Sequence, residues 1–213
     1  MKNNELDALK QRHLRITAPS PWVRRFAPLV PAGGAVLDLA SGGGRHARWF
    51  LERGHPVTAI DRNGEPLEAL KGEANATVLT ADLENGDPVF SATGPLSGQM
   101  FQGIVVVNYL FRPLFEELLD ALEPGGVLIY ETFALGNEDF ARPRNPDHLL
   151  KSGELLDLVR GRLQIIAYEH GRTQTAEIPG VKQRLVAVNN LGLSSRQDGE
   201  PSPLPIDPVQ VMD

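Results

Sequence analysis

Short apolar runs alternate along the chain with stretches whose apolar residues recur every three or four positions. Unbroken apolar runs of about four to eight residues are typical of buried strands, and the longer spacing is typical of helices packed against them. The runs predict strands at residues 35–39, 57–60, 77–80, 103–107 and 127–133. The stretches between them predict helices at residues 45–53, 66–71 and 114–122. This alternation predicts an α/β fold with a doubly wound, mostly parallel sheet.

The pattern changes after the fifth strand. Ser152 is of a type that caps helix N-termini, and we expect it to begin a helix that runs to Arg160. Two further apolar runs, at residues 163–168 and 181–188, have no helical pattern between them. Strands joined without a crossover helix are usually antiparallel. We therefore expect an antiparallel pair to complete a seven-stranded sheet.

The segments outside this alternation divide the chain. Residues 1–33 predict a helical lead-in that includes a short amphipathic helix at residues 4–16. Residues 134–151 read as a polar, proline-bearing loop. From residue 191 the chain is rich in Ser, Pro, Gly and Asp, which predicts a disordered or loosely packed tail over 191–213. We expect residues 1–190 to form a single domain.

Composition excludes several kinds of site. The chain has 213 residues, of which 41% are hydrophobic, and this suits one medium-sized domain. Its net charge of −6 disfavours a general nucleic-acid binder. It has no cysteine, so disulfides and thiolate metal sites are excluded, and its five histidines are too scattered to indicate a metal site. No apolar run approaches the length of a membrane span, so we expect a soluble, cytoplasmic protein.

Three consecutive glycines, Gly42–Gly44, follow the first predicted strand and precede a helix. Glycine has no Cβ and adopts positive φ, so the backbone of such a turn can approach a ligand, and the helix N-terminus favours an anionic group. Asp38 lies in the apolar run just before the turn. A buried carboxylate needs a polar or cationic partner. The pattern therefore indicates a ligand with both a negative and a positive group.

Further polar residues fall just after predicted strands, at Asp61, Asp82 and Asn108, and in a doubly wound sheet these ends converge on the ligand site. Asp61 is suited to accept hydrogen bonds from ribose hydroxyls, or alternatively to cap the next helix. Asp82 is placed to accept from an adenine amino group, or alternatively to stabilise its own turn. A diphosphate would be repelled by Asp38, whereas the ammonium and sulfonium groups of S-adenosylmethionine would be attracted.

At this point the chain resembles a known family. Residues 36–44 (VLDLASGGG) are similar to motif I of the class I S-adenosylmethionine-dependent methyltransferases, and residues 57–61 (VTAID) to motif II. Residues 80–83 resemble the adenine-contacting segment, and residues 122–126 the turn before strand five. The resemblance covers about residues 30–190. It implies a Rossmann-like methyltransferase fold, and the size of the chain favours the small-molecule branch that includes tellurite-resistance-type and thiopurine-type enzymes.

Taken with the residue pattern, the resemblance implies S-adenosylmethionine as the cofactor. We expect its site to be formed by Asp38, Ala40, Gly42, Gly43, Gly44, His46, Asp61, Arg62, Asp82, Leu83 and Asn108. His46 would touch the methionine end of the cofactor, or would alternatively be an exposed helical histidine.

The acceptor side is less defined. Enzymes of this fold that methylate exocyclic or amide nitrogens often carry Asn/Asp-Pro-Pro-Tyr/Phe after strand four, whereas this chain reads Asn-Tyr-Leu-Phe from Asn108 and lacks both prolines. The candidates for acceptor binding are Asn108, Tyr109, Glu131, Arg142, Arg144 and His148. Tyr109 is alternatively a core residue, and the last three alternatively belong to a solvated loop. We name no catalytic base.

We therefore expect transfer of a methyl group to a small-molecule acceptor by direct in-line displacement. Two alternatives remain at this point. The glycine turn also fits the pattern G-x-G-x-x-A of NAD-dependent oxidoreductases, although Asp38 and the lack of a second domain count against that class. The chain could instead be a cofactor-binding module without catalysis that serves a partner.

Overall fold

The computed structural model describes residues 16–86, 88–173 and 179–206. Their centre is a single seven-stranded sheet in the order β3-β2-β1-β4-β5-β7-β6. The strands are β1 (Val36–Leu39), β2 (Val57–Asp61), β3 (Ala76–Thr80), β4 (Phe101–Val107), β5 (Leu122–Phe133), β6 (Gln164–Thr173) and β7 (Gly180–Val188). The first five strands are parallel, and β7 runs antiparallel to both of its neighbours, β5 and β6. The predicted fold class, with its C-terminal antiparallel pair, is confirmed.

Among the described residues, four short α-helices accompany the sheet: α1 (Pro21–Phe26), α2 (Arg45–Leu51), α3 (Phe115–Asp120) and α4 (Glu154–Val159). Helix α1 begins as its sequence dictates, since the Ser20 side chain accepts a hydrogen bond from the backbone N–H of Trp22 and Pro21 occupies the first helical position. Tighter 3₁₀ turns lie at Ala27–Leu29, Glu65–Leu70, Arg112–Leu114, Asn137–Asp139, Pro146–His148 and Leu191–Leu193.

The sheet is covered on both faces, and this explains its apolar strands. Alternate residues of each strand contribute to two separate clusters of buried side chains. Leu37, Ile104 and Tyr130 belong to the cluster that includes α3 and α4. Val36, Val105 and Trp22 belong to the other, which includes α1 and α2.

Three expectations need correction. Ser152 does not cap α4, because Gly153 occupies the N-cap position at φ +77°, where a glycine is favoured. The segment predicted as a helix over 66–71 is a 3₁₀ turn, Glu65–Leu70, rather than an α-helix. Strand β6 extends to Thr173, five residues beyond the predicted end at 168, because β7 provides a partner over its whole length. The helix expected at residues 4–16 lies almost wholly outside the described residues.

The C-terminal segment contacts the domain in its described part. Arg25 donates a hydrogen bond to the carbonyl of Ile206, and Leu204 packs against the cluster around Trp22. The boundary expected at residue 190 stays a prediction. Over the described ranges, no helix has both the length and the apolar character that a membrane crossing requires.

Candidate active site

The sheet reverses its strand order between β1 and β4, which are neighbours at its centre. The chain proceeds outward from β1 to β2 and β3 on one side, and from β4 to β5 on the other. Directly after these two strands, Ala40 (φ +53°) and Asn108 (φ +58°) adopt the left-handed backbone conformation. Residues other than glycine rarely adopt this conformation, and they do so most often at functional sites. The predicted ligand crevice therefore lies at a place where the backbone is strained on both sides.

The glycine turn has one open and one crowded position. At Gly42, with φ +55°, a Cβ would meet nothing within 4 Å, whereas at Gly44 it would lie 2.8 Å from the Leu70 side chain and 2.9 Å from that of Leu67. Gly44 is the N-cap of α2, and no side chain caps this helix. The turn thus packs closely on its inner side and leaves space at Gly42, as a cradle for a ligand requires.

Asp38 is buried at the centre of the sheet, with 1% of its surface exposed. One carboxylate oxygen, Oδ2, accepts a hydrogen bond of 3.0 Å from the backbone N–H of Ala47. Burial raises the pKa of Asp38 from 3.8 to about 7, although this hydrogen bond and the charge of Arg45 act in the opposite direction. The carboxylate therefore lacks enough positive charge of its own, and a cationic ligand group would supply it.

His46 lies beside Asp38 and is buried, so the alternative of an exposed helical histidine is wrong. Its Nε2 accepts a hydrogen bond of 3.2 Å from the backbone N–H of Ser20, and this leaves the ring proton on Nδ1, 3.8 Å from Asp38 Oδ1. Burial lowers the pKa of His46 to about 3. A neutral imidazole thus joins the lead-in segment to the glycine turn.

The ribose candidate, Asp61, is half-buried at the end of β2 and supports the turn. Its Oδ2 accepts from the N–H of Gly42 at 2.8 Å, and its Oδ1 accepts from the N–H of Asn63 at 2.9 Å. Each carboxylate oxygen has a second lone pair for a ligand hydroxyl. The neighbouring residue, Arg62, is exposed.

The adenine candidate, Asp82, is exposed and accepts from the N–H of Glu84 at 3.0 Å, as a turn residue does. The next residue, Leu83, is buried. Tyr109 lies close to this turn, and its hydroxyl is a buried atom without a hydrogen-bond partner among the described residues. Burial, followed by the negative charge and close approach of the Glu84 carboxylate and then by the charge of Asp82, raises the pKa of Tyr109 above its usual value, so the hydroxyl stays protonated.

On the other side of the crevice, Glu131 lies at the centre of a buried polar cluster. Lys182 donates to its Oε1 at 2.6 Å and Ser20 donates to its Oε2, while Arg184 lies 3.6 Å from Oε1. Lys182 also donates to Oδ1 of Asn108 at 2.9 Å. The structure thus brings two acceptor-side candidates, Asn108 and Glu131, together through a lysine.

Sequence reasoning missed Lys182 and Ser20. The signal at Lys182 was its place in the predicted strand at 181–188, where an uncompensated ammonium would be costly. The partner could not be read from the sequence, because Glu131 lies 51 residues away on a different strand. Ser20 gave a helix-start signal, but its contact with Glu131 spans 111 residues.

The remaining acceptor candidates, Arg142, Arg144 and His148, are exposed in the loop after β5. Across the described part of the chain, no hydrogen bond or ion pair joins their side chains to Glu131 or Asn108. The loop itself is anchored by the buried Asn137, whose amide donates to the carbonyl of Pro143 and accepts from the N–H of Val181. Roles for these three residues in binding the acceptor stay predictions.

Comparisons with known proteins agree with this arrangement. The family model for "Methyltransferase domain" matches residues 36–126, from the start of β1 to the turn before the apolar part of β5. No curated protein matches the sequence.

Solved structures with the same fold include TehB from Haemophilus influenzae, with a TM-score of 0.59 and 18% identity over 77% of this chain and 60% of that one. A TehB-like S-adenosylmethionine-dependent methyltransferase from Corynebacterium glutamicum has a TM-score of 0.58 and 18% identity over 89% of this chain and 99% of that one. The 1,6-didemethyltoxoflavin-N1-methyltransferase of Burkholderia thailandensis, with 1,6-didemethyltoxoflavin and S-adenosylhomocysteine bound, has a TM-score of 0.55 and 20% identity over 83% and 78%.

The fold and the crevice define an α/β protein with a candidate ligand site at the switch point of a doubly wound sheet. Residues 36–126 match the model of a methyltransferase domain, and the solved structures, some of them S-adenosylmethionine-dependent methyltransferases, share the fold of this chain.

Proposed function

We propose that this chain transfers a methyl group from S-adenosylmethionine to a small-molecule acceptor by direct in-line displacement. The observation that carries the proposal is the pairing of an open glycine turn at Gly42 with the buried carboxylate of Asp38, which no cation among the described residues contacts closely enough to keep its pKa at the usual value. A diphosphate would add negative charge next to Asp38, whereas an aminoacyl ligand brings an ammonium group. These features support the cofactor's aminoacyl end lying at the turn.

Different residues of the chain would bind different parts of the cofactor. Asp38 would stabilise a positive group, and the space beside Gly42, where a Cβ would meet nothing within 4 Å, would admit the aminoacyl end of the cofactor. Asp61 would accept from the ribose hydroxyls with the lone pairs that Gly42 and Asn63 leave unused. The remaining candidates for this site are Ala40, Gly43, Gly44, His46, Arg62, Asp82, Leu83 and Asn108.

The sulfonium of the bound cofactor supplies an activated methyl group. The protein therefore has to orient an acceptor lone pair and keep water out, and orientation of this kind lowers a barrier by roughly 7–11 kcal/mol. Asn108 and Glu131, at the ends of β4 and β5, are the residues that the structure joins on the acceptor side. Tyr109 presents an unused hydroxyl nearby.

A small acceptor is supported by the kind of protein that shares this fold. The Burkholderia thailandensis relative carries its small-molecule acceptor, 1,6-didemethyltoxoflavin, in its crystal structure. The two alternatives predict different results. An oxidoreductase would bind NAD, and a non-catalytic module would bind S-adenosylhomocysteine without transferring methyl groups.

Calorimetry and a methyl-transfer assay distinguish the proposed methyltransferase from the oxidoreductase and from the non-catalytic module. We expect S-adenosylhomocysteine to bind and NAD not to bind, and we expect label from methyl-labelled S-adenosylmethionine to reach a pool of small acceptors. Binding of NAD with no binding of S-adenosylhomocysteine would overturn the proposal. Binding without any transfer would favour the inert module.

Asp61 provides a direct test of the ribose contact. We expect Asp61→Ala to weaken S-adenosylhomocysteine binding by about 1.5–3 kcal/mol, because hydrogen bonds to a charged group are lost. Asp61→Asn keeps one acceptor oxygen for Gly42, so its loss should be smaller. Asp157→Ala, on an exposed face of α4, serves as a control. An unchanged affinity in Asp61→Ala would place the ribose elsewhere.

A further inference from the structure

Lys182, Asn108 and Glu131 form a hydrogen-bonded chain that connects β7, the end of β4 and β5. Lys182 is buried, and its Nζ lies 2.9 Å from Asn108 Oδ1 and 2.6 Å from Glu131 Oε1. Burial lowers the pKa of Lys182, whereas the charge of Glu131 and the hydrogen bond to it raise it again. The ammonium is thus held in a fixed position between two acceptors.

This contact fixes which way round the Asn108 side-chain amide lies. An ammonium group only donates hydrogen bonds, so the amide atom that faces it has to be the carbonyl oxygen. The amide nitrogen, Nδ2, consequently turns away from Lys182. Within residues 16–86, 88–173 and 179–206 Nδ2 makes no hydrogen bond, and it is not among the buried atoms that lack a partner. Asn108 therefore presents a pair of N–H donors, and no acceptor, beyond its contact with Lys182.

Glu131 is poorly placed to supply the missing acceptor, because only 2% of its surface is exposed and both of its carboxylate oxygens are held by neighbouring side chains. Its Oε1 receives the bond from Lys182 and its Oε2 the bond from Ser20. Burial raises the pKa of Glu131, but Lys182, Ser20 and Arg184 outweigh it and hold the pKa below its usual value. The carboxylate stays ionised and occupied, so it is poorly placed to take a proton from an acceptor.

We propose that the methyl acceptor of this enzyme is an anionic oxygen or sulfur nucleophile, such as a carboxylate, phenolate or thiolate, that accepts a hydrogen bond from Asn108 Nδ2, and that Lys182 is the residue that enforces this choice. The inference rests on the proposed function. Such an anion has three lone pairs, so one attacks while another accepts from Asn108. A neutral amine has a single lone pair, which the reaction uses, and its N–H groups would face the N–H groups of Asn108.

The reaction balances without a base. The anion forms a bond to the methyl carbon through a lone pair, the bond from that carbon to the sulfonium breaks, and its electron pair stays on sulfur. The acceptor loses its negative charge as the sulfur loses its positive charge. No proton moves, in agreement with the occupied state of Glu131.

The donor role of Asn108 is tested by NMR on the ¹⁵N-labelled protein loaded with S-adenosylhomocysteine. Benzoate is the anionic probe and benzylammonium the cationic one, and the Asn108 amide signals are assigned by their absence in Asn108→Asp. We expect benzoate to shift these signals at a concentration about tenfold lower than benzylammonium does. Equal shifts, a stronger shift by benzylammonium, or no shift by either probe would overturn the inference.

The role of Lys182 is tested with two kinds of variant. In one the side chain at position 182 can only donate hydrogen bonds, and in the other it can both donate and accept them. Lys182→Arg also only donates, so the preference for benzoate should persist. Lys182→Gln combined with Glu131→Gln removes one positive and one negative charge, so the net charge of the cluster is unchanged. A glutamine at position 182 can donate or accept, so the Asn108 amide is free to flip. The preference for benzoate over benzylammonium should then fall by about tenfold. Arg162→Met, which removes a cation from an exposed ion pair, is the matched control. A preference that survives in the double variant would exclude a positioning role for Lys182.

The two proposals fail in different ways. A protein that does not bind S-adenosylhomocysteine would contradict the proposed function, whereas the shift of the Asn108 amide by benzoate is also measurable without that ligand. A protein that binds S-adenosylhomocysteine and shows no preference for benzoate would contradict only the acceptor class.

Discussion

Asp38 and His46 are two buried titratable residues whose pKa values move in opposite directions. Burial raises the pKa of Asp38 to about 7 and lowers that of His46 to about 3. Between these values both side chains favour the neutral form in the folded protein. Asp38 therefore lowers the free energy of unfolding at neutral pH when no cationic ligand is bound. Such a loss of stability is common at ligand sites.

The opposed pKa values predict a specific effect of Asp38→Asn on stability. Asp38 stabilises the fold below its unfolded pKa of 3.8, and this contribution is lost as pH rises towards 7. His46 contributes in the reverse sense, because its folded pKa lies below its unfolded value of 6.5, so stability rises with pH from about 3 to 6.5. In the wild type, Asp38 makes the free energy of unfolding fall with pH, and His46 makes it rise with pH.

Of these two contributions to the pH dependence of stability, Asp38→Asn keeps that of His46 alone. We expect the free energy of unfolding of the variant, relative to wild type, to rise with pH between about 4 and 7 by up to about 1.4 kcal/mol per unit. Urea unfolding at several pH values measures this difference. A difference that is independent of pH would mean that Asp38 is ionised in the folded protein.

At the scale of elements, glycines set how α2 begins and how the chain leaves it. Gly44 precedes this helix at φ +70°, and Gly54 follows it at φ +81°. Their surroundings differ, because a Cβ at Gly54 would meet nothing within 4 Å, whereas one at Gly44 would meet the buried side chains of Leu67 and Leu70. The glycine at the ligand turn is thus required for its size as well as for its φ.

The comparison predicts different costs for two chemically identical substitutions. Gly54→Ala should destabilise the fold by about 1–2 kcal/mol, the cost of placing an alanine in a left-handed conformation. Gly44→Ala carries this cost and an overpacking cost of about 1–3 kcal/mol. Thermal or urea unfolding of both variants measures the difference. Equal losses would show that Leu67 and Leu70 move aside freely.

The elements also show what local sequence reasoning reaches. The apolar run at 103–107 indicated β4 correctly, because a strand buried on both faces leaves its mark in every residue. The start of α4 was misplaced, because Ser152 and Gly153 are both plausible before a helix and only the φ of Gly153 decides. The positions of Asp61 and Asn108 at strand ends followed from the doubly wound pattern. The contact between Glu131 and Lys182 could not be predicted from that pattern. The order of the strands in the sheet, rather than the spacing of residues along the sequence, brings Lys182 to Glu131.

At the scale of the molecule, the cluster around Glu131 connects parts that are distant in sequence. Ser20 belongs to the segment before α1, Glu131 to β5, Lys182 to β7, and Asn108 to the end of β4. His46 extends the connection to the glycine turn through the N–H of Ser20. Both sides of the crevice therefore depend on one buried set of polar contacts.

This dependence predicts strong coupling between Glu131 and Lys182. Lys182→Met should destabilise the fold by about 3–5 kcal/mol, because it leaves a buried carboxylate without its main partner. Adding Glu131→Gln removes that charge, so the double variant should recover much of the loss. Urea unfolding of the single and double variants gives the coupling energy.

Arg162→Met breaks exposed ion pairs with Glu116 and Asp120 and should change stability by at most about 1 kcal/mol. Additive losses in the cycle at Glu131 and Lys182 would contradict the coupling.

The placement of β7 between β5 and β6 has a consequence for biosynthesis. A ribosome translates the five parallel strands and β6 before the lysine of β7 emerges, so Glu131 is made long before its counter-ion. Until residue 182 leaves the exit tunnel, the growing polypeptide has neither the oriented amide at Asn108 nor a compensated carboxylate beside it. The candidate site is therefore complete only once β7 has taken its place between β5 and β6.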